Sequence, residues 1–128
     1  MAKPGYEDAK IVLKLMDMWP AEESNWIWGG EFTPDPAEFE ARHGGDDAAH
    51  AKIRGIINWY ESIGTLYKHG LLNEDLLFDW LAIDAVWDRV KSHALAIREE
   101  SGNVHMYENF EAMANAQQSW AAARDKAA

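Results

Sequence analysis

The chain has no cysteine in its 128 residues. That excludes disulfides, thiolate metal sites, iron–sulfur clusters and a thiol nucleophile. Valine and threonine are scarce, and no stretch alternates apolar and polar residues for long enough to read as a strand. Apolar runs are a few residues long, far below the ~20 that a membrane-spanning helix needs. Positive charge is also thin: twelve Lys and Arg face twenty-two Asp and Glu, giving a net charge of −10 and a pI near 4.8. The cations stand singly, whereas nucleic acid and anionic membrane surfaces both call for clustered Lys and Arg. Neither is therefore expected as a partner. An acidic chain can occupy a basic groove as a nucleic-acid mimic, but solubility is the plainer account of the charge. Glu7 and Asp8 fall where a secretory signal would begin its apolar stretch. The expectation is a soluble, cytoplasmic chain forming one domain over residues 1–128, with 1–5 and 121–128 frayed.

What is present favours helix. Ala and Glu lead the composition and Leu is common, and all are good helix formers. Tyr6 to Trp19 repeats apolar residues at three-four spacing (Ala9, Val12, Leu13, Met16) and must stop before Pro20. A second, shorter helix starts at that proline and carries Trp26, Ile27 and Phe32, with Gly29-Gly30 within it. Asp35-Pro36-Ala37-Glu38 starts another brief one, with Asp35 as cap and Pro36 in the first turn. Beyond Gly44-Gly45, the stripe Ile53, Ile56, Ile57, Tyr60, Ile63, Gly64 and Tyr67 runs to His69, and Gly70 ends it. Asn73 caps what reads as one continuous helix to Glu100, striped by Leu76, Trp80, Ile83, Trp87, Val90, Ala94 and Ile97. Ser101-Gly102-Asn103 breaks it. A last helix from about Val104 carries Tyr107, Phe110, Met113, Ala114, Gln117 and Trp120. The fold class expected is all-α: a single-domain bundle of three to four main helices plus one or two short ones, with the first helix completing the bundle.

Several of these segments carry a resemblance. They are Tyr6-Glu7-Asp8-Ala9-Lys10 leading into Ile11 to Leu15, Glu31-Phe32, Trp59-Tyr60-Glu61 with the ending His69-Gly70-Leu71-Leu72-Asn73, and Arg98-Glu99-Glu100-Ser101-Gly102-Asn103. In these the chain resembles a family of small bacterial all-α proteins of unknown function. The resemblance spans nearly the whole chain and implies a helical domain; it brings no activity, cofactor or site residues.

Three constellations are candidates for function. Glu40 and His43 are three apart, as are Asp47 and His50, so each pair can share a helix face as metal ligands do. Both pairs flank one Gly-Gly turn, and a solvated loop with Asp47 as cap is the plainer reading; Glu7, Asp79 and Glu108 are the only further ligands in prospect. Trp19, Trp26, Trp28 and Phe32 crowd a short stretch that would line an apolar pocket or clamp the short helix to the bundle. Between Leu76 and Ile83 apolar residues cover nearly the whole helix circumference, against the one-stripe rule. Leu77, Phe78 and Leu81 are thus candidates for an interface with a second copy.

Catalytic machinery is not legible. Ser24, Ser62, Ser92, Ser101 and Ser119 stand in no nucleophile elbow, Asp84 and Asp88 form no compelling acid–base pair, and the Gly-Gly steps lack a following Lys-Ser/Thr. The composition and pattern therefore lean away from an enzyme and call for no cofactor. They favour a protein-interaction module, most simply a homodimer or a binder of another protein, with a ligand- or metal-binding bundle as the alternative.

Overall fold

The computed structural model describes residues 3–127, and among these it contains seven helices and no strand. Met1, Ala2 and Ala128, within the ends expected to fray, lie outside the described residues. Three long helices make the bundle: α4 (Asp47–Lys68), α6 (Ile83–Ser101) and α7 (Glu108–Ala127), with α7 packed against both others. Four shorter ones dress it, and the second of them ends at Ile27, short of the Phe32 it was expected to carry, because the chain turns at Trp28 to Glu31. α1 (Tyr6–Met18) lies on α5 (Glu74–Trp80), α2 (Ala21–Ile27) on α4, and α3 (Pro36–His43) on α6. No helix of the described residues is long and apolar enough to cross a membrane.

The long helices meet where the sequence permits close approach. A Cβ added at Gly64 of α4 would sit 2.7 Å from the Asn109 backbone of α7, so only glycine lets the two cross there. Three residues earlier, Glu61 reaches the start of α7: its carboxylate accepts from Phe110 N and Asn109 Nδ2, both at 2.9 Å. A carboxylate at this end complements the helix dipole. Tyr60 stacks on Phe110 and Trp87 meets the same ring edge-on, filling the three-helix core. α7 starts at Glu108 and not near Val104, because residues 102–107 form a tight connection. Tyr107 takes a left-handed φ of 63° there, and Arg98 closes the connection by donating to Met106 O at 2.7 Å and pairing with Glu111 at 3.0 Å. At its other end α7 stays helical through Ala127, past the point where fraying is expected.

Two expectations about helices are corrected. The stretch from Asn73 to Glu100 is not one helix but two, broken at Leu81-Ala82. The break has a distant cause. Gln117 of α7, only 5% exposed, donates from Nε2 to Phe78 O (3.1 Å) and Leu81 O (2.6 Å) and accepts from Asp84 N at 2.8 Å. One amide satisfies the last carbonyls of α5 and the first amide of α6, groups that a helix end otherwise leaves unpaired. The bend leaves Asp79 and Ala82 exposed and turns Leu77, Phe78 and Leu81 into the core of a single chain, each 5% exposed or less. They form no surface for a second copy, and the chain itself recovers the roughly 2 kcal/mol that burying each can contribute.

The second correction concerns α1. It does not enter the bundle as a fourth member. Only Val12 and Leu15 are buried, while Leu13 and Met16 are exposed.

Candidate functional site

The Gly44-Gly45 turn folds α3 back against the first turn of α4. Asp35 caps α3, accepting from Ala37 N, and Asp46, not Asp47, caps α4, accepting from Ala49 N. The hairpin brings Glu40 and His50 together at 3.0 Å on the rim of a cavity of about 310 Å³. His93 of α6 faces the same cavity, with Phe39 as its floor and Arg54 and Glu100 at its mouth.

The hydrogen bonds bias the two histidines in opposite directions. His50 Nδ1 lies 2.7 Å from Asp46 O, and its Nε2 lies 3.0 Å from Glu40 Oε2. Both neighbours are acceptors, an arrangement that favours the doubly protonated ring. The Asp46 carbonyl and the Glu40 carboxylate accordingly raise its pKa above the ordinary histidine range. His93 is the opposite case. It is 7% exposed, and burial lowers its pKa, only partly offset by the bond to Thr33 O at 2.8 Å. It is a neutral imidazole donating from Nε2.

Of the four metal-ligand candidates, the fold brings only Glu40 and His50 together. His43 turns its Nε2 onto Glu31 O at 2.8 Å, and Asp47 sits in the first turn of α4. Among the described residues no group of three or more His, Cys, Asp or Glu converges. Both His50 ring nitrogens are engaged, by Asp46 O and Glu40 Oε2. The pair's evident work is mechanical. His43, His50 and His93 ring the buried Phe39 at 4.7, 5.3 and 5.3 Å, and two of them, with Arg42 on Gly30 O, tie segment 30–33 to the bundle.

The tryptophan cluster divides. Trp26 and Phe32 pack edge-on at 5.6 Å and reach Phe39, which assigns them to the clamp holding the short helices. Trp19 and Trp28, 36% and 55% exposed, border a different cavity of about 290 Å³, together with Tyr60, Trp80, Val86 and the Leu81-Ala82 break. Burial raises the Tyr60 pKa, and the hydrogen bond from the Trp19 indole pulls it partly back. Ser24 of α2 also lines this cavity. It is 5% exposed, and among the described residues its Oγ is the one buried side-chain polar atom without a hydrogen-bond partner.

Sequence reasoning missed Ser24, His93, Tyr60 and Gln117 as site or junction residues. A signal existed for Gln117, a polar residue on the otherwise apolar Phe110–Trp120 stripe. His93 stood three after Val90 and four before Ile97, on the edge of the buried face.

Residues 21–120 match the family described as Domain of unknown function (DUF4760). The match takes in α2 to α6 and most of α7, and α1 precedes it. No curated protein and no solved structure matches the chain.

Proposed function

The chain belongs to the DUF4760 family, whose description assigns no activity, and from its surface we propose that it is a non-enzymatic protein-interaction module that pairs with a second copy of itself through α1. The observation that carries this reading is a second apolar stripe. Tyr6, Ala9, Leu13 and Met16 follow three-four-three spacing, the seam spacing of paired helices. Val12 and Leu15 are already buried and Ala9 is half-buried beside Leu76 of α5, but Tyr6, Leu13 and Met16 stay 90%, 61% and 41% exposed, an apolar line that the fold does not use. A helix that needs one apolar face to dock has two.

Charge favours an antiparallel, two-fold arrangement. Acids Glu7 and Asp8 open the helix, and Lys14 follows near its end. A crossing centred between Ala9 and Leu13 sets Lys14 of one copy against Asp8 of the other, whereas a parallel pair would oppose like charges. The stripe is short, so the pairing belongs to the weak end of specific interfaces.

Sedimentation equilibrium over roughly 1 μM to 1 mM is the test. Concentration-dependent dimerisation that Leu13→Glu abolishes is the expected result. Leu13 is exposed, so that change leaves the core intact. A wild-type monomer throughout, or a dimer indifferent to Leu13→Glu and Met16→Glu, would overturn the reading.

A further inference from the structure

We infer that the cavity between α1, α2, α4 and the Leu81-Ala82 break is a binding site for a small neutral aromatic molecule with one hydrogen-bonding substituent, and that Ser24 is its polar contact. The inference goes beyond the pairing of α1 and does not depend on it. Three indoles, those of Trp19, Trp28 and Trp80, and the Tyr60 phenol surround one space. Such walls favour a flat apolar occupant, which gains from stacked and edge-on ring contacts. The volume is sufficient: an apolar cavity of about 150 Å³ takes benzene, and this one is about 290 Å³.

The polar requirement comes from the serine. Buried hydroxyls are nearly always paired, and an unpaired one calls for a reason. Ser24 Oγ has no partner among the described residues and Ser24 lines the cavity, so an occupant with a hydroxyl or ring N–H that reaches it would supply what the fold does not.

Aromatic cages also bind cations, but this lining argues for a neutral ligand. No carboxylate lines the cavity. The Trp28 ring is already faced by the Arg89 guanidinium at 5.6 Å, which is held there by a 2.6 Å bond to Ile27 O.

The test compares two isosteres, 4-methylphenol and 1,4-dimethylbenzene, by following the indole N–H signals of the full chain in NMR titrations. 4-Methylphenol is expected to bind about fivefold tighter or better, the worth of one ordinary hydrogen bond. In Ser24→Ala the two should bind equally, with dimethylbenzene unchanged. Trp28→Ala, at an exposed position, should weaken both. Tetramethylammonium should shift nothing. Repeating the titration on Leu13→Glu protein separates the result from pairing through α1. The inference is overturned if neither ring compound moves those signals at roughly 10 mM, if tetramethylammonium binds more tightly, or if the preference for 4-methylphenol survives Ser24→Ala.

Discussion

Replacing Ser24 by alanine should make the protein more stable, against the general trend of mutations in a buried position. The hydroxyl lies in α2, 5% exposed, with no partner for its oxygen. Burying such a group unpaired costs about 1–3 kcal/mol, and alanine removes that cost. Alanine also exceeds serine in helix propensity by about 0.5 kcal/mol. Against these stand the few contacts the oxygen makes, so a net gain of about 1–2 kcal/mol is expected. For a chain of this size the urea slope is about 2 kcal/mol per molar, so the midpoint should rise by roughly 0.5–1 M. The melting temperature should rise by about 4–8 °C. Ser62→Ala is the control. Its hydroxyl is exposed and donates to Asn58 O at 3.0 Å, so its loss should stay within about 0.5 kcal/mol of neutral. If Ser24→Ala proves neutral or destabilising in the same urea series, the hydroxyl is already satisfied and the reasoning from it fails. If it stabilises, the chain is retaining a costly serine, as functional positions often do.

Gln117→Met keeps the volume of the side chain and removes all three of its hydrogen bonds, leaving Phe78 O, Leu81 O and Asp84 N unpaired in the core. A loss of about 2–4 kcal/mol in urea unfolding is expected, and a change below about 0.5 kcal/mol would show that the break does not rely on the amide. The two cleft histidines should give opposite pH dependences. His50 has a raised folded pKa, so its stabilisation is fully present below the ordinary value of about 6.5 and is lost as pH rises through the folded value. His93 has a lowered one, so its contribution holds above about 6.5 and is lost as pH falls through the folded value. Urea midpoints near about pH 5 and about pH 8 check this. His50→Gln should cost more stability at the acid end, and His93→Gln, which can still donate to Thr33 O, should lessen the loss on acidification.

The helices that the sequence reveals are those whose instructions are local. Asp35-Pro36 starts α3, Asn73 caps α5, Pro20 limits α1, and Gly70 and Gly102 take the positive φ of helix ends. The break at Leu81-Ala82 was hidden because nothing nearby encodes it: Trp80-Leu81-Ala82-Ile83 contains neither proline nor glycine. Its only trace was an excess of apolar residues around one helix, which reads equally well as an intermolecular face. The same ambiguity affects α1. Periodicity shows that Val12, Leu13 and Met16 lie near one another but not which of two adjacent stripes meets the protein. Site residues fared worse for a related reason. Tyr60, Trp80 and Ser24 are far apart in the chain and acquire a common cavity only through packing, whereas the proximity of Trp26 to Trp28 in sequence suggested a cluster that the fold separates.

The reach of Gln117 has a consequence in time. It bonds to groups 33, 36 and 39 positions earlier in the chain, while residues 74–101 taken alone have every local reason to form a single rod. A rod of that length points its second half away from the place it must occupy. The elbow is thus expected to form late, when α7 docks and offers Leu81 O the donor seen in the finished structure. Before that moment Leu77, Phe78 and Leu81 lie along an uncovered, all-round apolar segment, the kind of surface on which unfinished chains stick to one another. A cell making this protein meets that segment before it meets the residue that folds it away. Slowing the docking of α7, as Gln117→Met should, would lengthen the exposure and raise aggregation during refolding, even where the finished structure survives.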